Sequence, residues 1–431
     1  MDTLNQILFI GICFFILLRF YWLALRNTPW KGLLSALACI LYIFCLYGSA
    51  LMQVAGLSST KLLGPHILPP AQAYELGGLA GKWAIELCVI LLGEVMAGFL
   101  VPQRNPLISQ RSISRASGEF NFVMRNAALA LIVVGSISTL AFHSDLSSRA
   151  DGGQGVVTIL KTCLAVGLCV FAFHNFFNQR IYYLVSACGM ILLVTGAVRS
   201  PVLSVALAFF AGKIARGEVT AAMLMRYAVY GLVLAVVGGA MSNFRGDVVS
   251  GRGADLYTAF AESIENPFTA VYGGGIDTLD GYRLAQFVQP NEPARPANIL
   301  VAITTFVPRA LWPDKPQDLS LDITNRYLRW DQGGIFLSLV GYLSIAFGGY
   351  IQALLALFIL MTGLCGLYRK VFATFYGFIV LLMTFRLFLG GSPFDIYFCL
   401  VYLLIYTLAQ IPFKLIWVGY SRKTYSDGWP V

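Results

Sequence analysis

The chain has 431 residues, 58% of them hydrophobic and only 12% charged, where soluble domains carry roughly a quarter charged residues. With a mean hydropathy of +0.73, this excludes an ordinary soluble enzyme and a disordered polyampholyte. The formal charge of +9 reads as topological bias and contact with anionic lipid, giving no reason to invoke nucleic acid.

A hydrocarbon core about 30 Å thick is crossed by roughly 20 apolar residues in a helix. Runs of that kind predict spans at 4–25, 30–52, 79–101, 126–143, 156–175, 181–198, 201–214, 227–241, 336–364, 371–391 and 395–418. The expected fold is an all-α polytopic membrane protein with about 11 transmembrane helices and one large outer loop. The short 201–214 run and the long 336–364 run, which can hide a turn at Gly348-Gly349, leave a range of 10–12. The first run lacks a basic leader and a small-residue cleavage site, so it reads as a retained span. No internal repeat is evident. The chain divides into spans 1–8 over 1–241, the loop over 242–335, and spans 9–11 with a tail over 336–431.

Alternating these spans brings Arg26 and Lys31, the Arg104–Arg125 group, Arg180, the Lys213–Arg226 group, Arg369 and Lys370, and Lys414 with Arg422 and Lys423 to one face. By the positive-inside rule that face is cytoplasmic, which puts the N-terminus outside and the C-terminus inside. The nine cysteines fall within or at the ends of predicted spans and read as small apolar groups. With His66, His143 and His174 scattered along the chain, no metal site is expected.

The loop over 242–335 carries eleven of the chain's 21 acidic residues and enough aromatic and aliphatic side chains to fold. Short helices are expected at Ala254–Ile264 and Asp318–Leu328. Its segment Phe306-Val307-Pro308-Arg309-Ala310-Leu311-Trp312-Pro313-Asp314-Lys315-Pro316 is stiffened by proline, which holds Arg309 and Lys315 with little entropy left to lose on binding an anion. Further cations break the topological bias: Arg199 in an outer turn, Lys161 near the outer end of its span, and Arg386 just before Gly390-Gly391-Ser392-Pro393. Ionisable groups at membrane depth are costly and are functional candidates by default. Arg199, Arg309, Lys315, Arg386 and Lys161 thus form a candidate site for a lipid phosphate or pyrophosphate, with snorkelling as the alternative for Lys161. Glu86 and Glu94 share a helix face and read as counter-ions of that site or, by preference, as structural partners of Lys82 or Lys161. Trp312, Trp330, Tyr272 and Tyr282 are candidate glycan-stacking rings or, equally, packing within a folded cap. Gly273-Gly274-Gly275 is too weak a signal for a phosphate cradle.

Four features in this order resemble the O-antigen polymerase (Wzy-type) family. They are the Gly-x-x-Arg-Ser-Pro turn at Gly196–Pro201, the Pro-Arg-x-x-Trp-Pro-x-Lys-Pro segment at Pro308–Pro316, the Phe347-Gly348-Gly349-Tyr350 run, and an arginine-bearing span before a Gly-Ser loop. The likeness covers about 190–395, and the proline-arginine segment is its specific part. It implies a GT-C-like glycosyltransferase in a bacterial inner membrane, acting at the periplasmic face on undecaprenyl-pyrophosphate-linked repeat units, with a chain-length regulator protein as a further partner. Arg309, Arg199 and Arg386, with Lys315, would hold the leaving pyrophosphate. Asp277, Asp280, Glu262 or Glu265 would serve as general base toward the acceptor hydroxyl. No cofactor or metal is expected, because arginines supply the charge stabilisation. Two alternatives stand beside this reading: an O-antigen ligase that hands the glycan to lipid A core, and a transporter or flippase, which would favour repeated halves and midplane charges.

Overall fold

The computed structural model describes residues 2–26, 28–57, 71–101, 117–141, 155–176, 180–195, 199–249, 256–265, 278–300, 312, 318–329, 336–392 and 394–426. Among them every regular element is helical. In chain order they are α1 (Asp2–Leu25), a 3-10 turn (Pro29–Gly32), α2 (Leu33–Leu41), a π turn (Tyr42–Gly48), α3 (Ser49–Val54), α4 (Ala73–Leu100), α5 (Ser117–Ala141), α6 (Gly155–His174), α7 (Arg180–Thr195), α8 (Arg199–Ala215), α9 (Ala221–Val249) and α10 (Leu256–Glu265). There follow α11 (Thr278–Val288), 3-10 turns at Gln289–Asn291 and Pro296–Leu300, α12 (Leu319–Ile323) with a π turn (Thr324–Leu328), α13 (Leu339–Phe347), α14 (Tyr350–Val371), α15 (Phe375–Gly390) and α16 (Phe394–Ser426).

Among the described residues, seven stretches are long and apolar enough to cross a membrane: Asp2–Leu25, Pro29–Val54, Ala73–Leu100, Phe120–Ala141, Ala221–Gly238, Tyr350–Val371 and Ile396–Val418. The protein is a helical polytopic membrane protein. Shorter apolar helices, Ile159–His174, Tyr182–Leu193, Pro201–Ala215 and Phe375–Gly390, occupy the other predicted segments. The predicted 336–364 segment is two helices. Ser338 caps α13 by accepting from the Gly341 N–H, and Gly348 ends it at φ 80°, a left-handed conformation that glycine adopts without steric cost. Within the predicted loop, α10 matches the expected helix to within two residues, and Asp318 accepts from the Ser320 N–H to start α12.

The chain forms two compact units. The first comprises Met1–Gln103, Gly217–Lys370 and Val380–Cys399; the second comprises Arg104–Arg216, Val371–Ile379 and Leu400–Val431. In the first, α1, α4 and α14 run parallel. Asp2 and Asn5 of α1 meet Gly77 and Gly81, and Arg19 meets Glu94, while Met361 and Arg369 of α14 meet Gly93 and Gly98. The α2–α3 stretch runs the opposite way, from Gly32 beside Leu23 to Gln53 beside Ala71. Lys31 and Arg369 therefore share one end of this unit. The described parts of the 242–335 segment after α11 begins belong to it too, where Leu284, Val288, Leu319, Ile323 and Leu328 pack with Leu337, Tyr342 and Ile345 into one apolar core.

In the second unit, the start of α5, the end of α6 and the start of α7 meet through aromatic contacts. Phe120 lies 5.3 Å from His174, and Phe171 lies 5.8 Å from Tyr182, between ring centroids. The end of α8 joins them, since Arg216 donates to the Phe173 carbonyl. Arg125, Arg180, Lys213 and Arg216 thus collect at one end. Helices approach closely where a side chain is missing, as membrane packing favours: a Cβ on Gly135 of α5 would stand 2.2 Å from the Leu164 backbone nitrogen of α6. Gly135→Val is expected to destabilise the protein by about 1–3 kcal/mol through overpacking, read as a lower melting temperature in detergent. Gly363→Ala, where nothing lies within 4 Å of the new methyl, should leave that temperature nearly unchanged.

Candidate functional site

The first unit buries a carboxylate among phenols. Glu86 of α4 is fully buried and accepts from Tyr42 at 2.7 Å and Tyr282 at 2.6 Å, with Tyr350 at 3.2 Å. These donors come from the π turn, from α11 and from α14. Burial, and then the adjoining Glu86 carboxylate, hold the Tyr282 phenol well above its ordinary range, so it remains a donor. Lys82, one turn earlier on α4, donates to Gln286 of α11 at 2.8 Å. Gln53 donates to Asp280 at 2.9 Å, and Arg283 pairs with Glu75 at 3.0 Å. Helix α11 is therefore fastened to the membrane helices along its length by polar contacts.

Beyond α11 lies a polar junction formed by the end of α15, the start of α13 and the start of α12. Thr278 donates to the Leu389 carbonyl at 3.2 Å. Gly391, at φ 75°, lies so close to Ser338 that a Cβ would come within 2.3 Å of its carbonyl carbon. Ser338 itself holds φ 62°, ψ 158°, a conformation costly for a residue with a side chain and common at functional sites. Ser392 donates to Asp318 at 2.5 Å. Burial pushes the Asp318 carboxyl above the usual aspartate range, opposed by its bonds from Ser392 and from the Ser320 N–H. Arg386, one turn before this junction, is half-buried with its guanidinium 4.7 Å from the Phe398 ring centroid.

A third cluster ties the turns after α11 to α12. Glu292, its side chain 3% exposed, pairs with Arg295 at 2.9 Å and Arg326 at 3.0 Å and accepts from Tyr327 at 2.9 Å. Asp322 pairs with Arg295 at 2.5 Å and also with Arg326. Two guanidinium groups face two carboxylates, so the cluster is neutral and internally satisfied, which suits a clamp better than an anion site.

The predicted site residues are distributed as follows. Asp280 and Tyr282 lie on α11 and are 3% and 1% exposed, each engaged with a membrane-helix side chain. Glu262 and Glu265 are exposed on α10, and Trp312 is exposed. Arg386 belongs to the first unit, while Lys161 on α6 and Arg199 at the start of α8 belong to the second. Arg309, Lys315, Asp277, Tyr272 and Trp330 lie outside the described residues, as does the Gly273–Gly275 run. The expected pairing with Lys82 or Lys161 is corrected for Glu94, while Glu86 lies within electrostatic reach of Lys82 but takes its hydrogen bonds elsewhere. Glu94 takes a two-pronged contact from Arg19 at 2.8 and 3.1 Å, and Glu86 takes phenols, because the parallel packing of α1 on α4 and the entry of α11 bring those groups closer. Asp318 was not singled out in the sequence, although its position directly after the proline-arginine segment was a usable signal. Among the described residues no cluster of metal-ligating side chains occurs.

Removing one phenol leaves part of a buried carboxylate unsatisfied, which costs about 1–3 kcal/mol. Tyr282→Phe should therefore lower stability by that amount in a detergent unfolding titration, and a Tyr282→Phe, Glu86→Gln double variant should show a non-additive effect. Tyr74→Phe, at a ring 72% exposed, is the control. No family model, no curated protein and no solved structure matches the chain.

Proposed function

We propose that the protein is a membrane glycosyltransferase that polymerises undecaprenyl-pyrophosphate-linked repeat units at the periplasmic face of a bacterial inner membrane, for O-antigen, capsule or a related polysaccharide. The observation that carries this reading is the Asp318–Ser392 hydrogen bond. It ties Asp318, which follows the proline-arginine segment by two residues in the sequence, to the Gly-Ser loop after Arg386, one of the four sequence features on which the family resemblance rests. In this reading eleven helices span the bilayer, the N-terminus is periplasmic and the C-terminus cytoplasmic. The gathering of basic residues at one end of each unit supports that orientation.

The reaction breaks the bond between the anomeric carbon of the growing glycan and its pyrophosphate, and forms one to a sugar hydroxyl of a second lipid-linked unit. Arg309, with Arg386 and Lys315, stabilises the charge that the leaving pyrophosphate acquires. The hydroxyl proton passes to a carboxylate. Asp318 joins Asp277, Asp280, Glu262 and Glu265 as a candidate base. Burial raises its proton affinity, and neutral-pH general bases need that shift.

Because the Asp318 pKa is raised on folding, its favourable contribution is complete below the unfolded aspartate value of about 3.9 and is lost as pH rises through the folded value. Asp318→Asn, which keeps a good N-cap and cannot ionise, should abolish that loss: at pH 7 the variant is at least as stable as wild type, yet polymerises far more slowly. Equal turnover by the variant removes Asp318 as base. Purified protein given a lipid-linked repeat unit alone should yield a ladder of longer glycans. Arg309→Lys keeps charge but not the bidentate fork and should lose most of that activity while still inserting. A requirement for lipid A core would favour ligation, and absence of any new glycosidic bond would leave transport.

A further inference from the structure

The end of the first unit that carries Lys31 and Arg369 holds a narrow crevice lined by Trp30, Lys31, Glu94, Tyr368 and Arg369, among others. One of these, Glu94, is paired with Arg19, a neutral contact. At a rise of 1.5 Å per residue the pair sits about 9 Å short of the ends of α1 and α4. Above it the charge is unbalanced. Among the described residues no carboxylate pairs with Lys31 or Arg369. Lys31 Nζ lies 5.6 Å from the Trp30 ring centroid. The Arg369 guanidinium lies over the bare backbone of Gly98, where a Cβ would come within 2.6 Å of Nη1, and its buried Nε has no hydrogen-bond partner.

Two cations without a carboxylate partner among the described residues thus line the crevice where helices end, beside a neutral ion pair deeper in the unit. Trp30 and Tyr368 are both buried at 5% and 4% exposure and form apolar walls. On the closing turns of α4 and α14, two helices that line the crevice, Phe99, Leu100 and Leu367 are 81%, 63% and 48% exposed. A cationic notch next to an exposed apolar strip fits an amphiphile with an anionic head. A free anion would use the notch and leave the strip unused.

We propose that the cations at the mouth of this crevice, which itself has room only for about 10 Å³, bind the phosphate of an anionic phospholipid, with the diester oxygens between Lys31 and Arg369 and the acyl chains along Phe99, Leu100 and Leu367. The close approach of the guanidinium to the backbone of Gly98 fixes its direction, so the head group meets a pre-oriented cation. The site is at the opposite end of the unit from the Asp318–Ser392 junction and does not rest on the proposed reaction.

The test titrates delipidated full-length protein in neutral detergent with phosphatidylglycerol or phosphatidylcholine, and counts bound lipid by native mass spectrometry. A parallel melting-temperature series uses inorganic phosphate. Phosphatidylglycerol should bind at concentrations at least tenfold below phosphatidylcholine and raise the melting temperature, with inorganic phosphate giving no comparable rise. Each cation near an anionic head is worth roughly fivefold, so Lys31→Gln with Arg369→Gln should weaken phosphatidylglycerol binding about 25-fold. Lys414→Gln, a basic position in the other unit, should not weaken it. Should the double variant fail to fold, Gly98→Ala, which pushes the guanidinium aside, and the lipid comparison on wild type still decide. Equal binding of the two lipids, unchanged binding by a folded variant, or equal stabilisation by inorganic phosphate would each overturn the proposal.

Discussion

A carboxylate in an apolar interior is tolerated only when its oxygens are taken up by donors, and Glu86 is placed where three phenols from separate parts of the chain can do that. The requirement reaches well beyond α4. Tyr42 begins a π turn, and the extra residue per hydrogen-bonded ring there shifts the side-chain register of the second span. Tyr350 begins α14, directly after the Gly348-Gly349 break, and Tyr282 stands on α11, nearly two hundred positions later in the chain. One buried acid therefore fixes the relative placement of two membrane helices and a helix of the long connection. Once α11 is fixed, so is the core it makes with α12 and α13, and with it the strained Ser338 and the Gly391 that lies against it.

The same logic separates scaffold from site among the charged groups. Asp280, Glu75, Glu292 and Asp322 all have guanidinium or amide partners, and their cost of burial is offset locally. Asp318 differs. Its hydrogen bonds do not outweigh desolvation, so the protein keeps a carboxyl whose ionisation costs stability. That property, beside Ser338 at positive φ and the arginine-bearing end of α15, is the reason the proposed reaction is assigned to this junction. At the other end of the unit, Arg369 shows the converse, a cation held close to the backbone by a glycine with a donor left over.

Much was readable from the sequence because membrane insertion is governed by length, hydropathy and the distribution of lysine and arginine, all of which are local or additive. The helical segments, the break at Gly348-Gly349, the helix at Leu256–Glu265 and the start of α12 at Asp318 all follow from such rules. What pairs with what does not. Glu86 and Glu94 were visible as costly groups on one face, but their partners depend on which helices become neighbours. Arg19 reaches Glu94 only because α1 and α4 run parallel with glycines between them. Tyr282, in a polar stretch with Asp280 and Arg283, offered no periodic signal that it would be buried; α11 is held by hydrogen bonds to side chains from other segments, and such contacts leave no pattern in the local sequence.

The sequence by itself therefore determined the solvent in which this protein folds, its helical segments, and the residues too costly to be there without a purpose, since each of these is a property of one stretch of chain against lipid. Only the tertiary structure decided which of those costly residues are clamped and which are left poised. That depends on distances between segments far apart in sequence: Tyr282 to Glu86, Ser392 to Asp318, and Arg369 to Gly98.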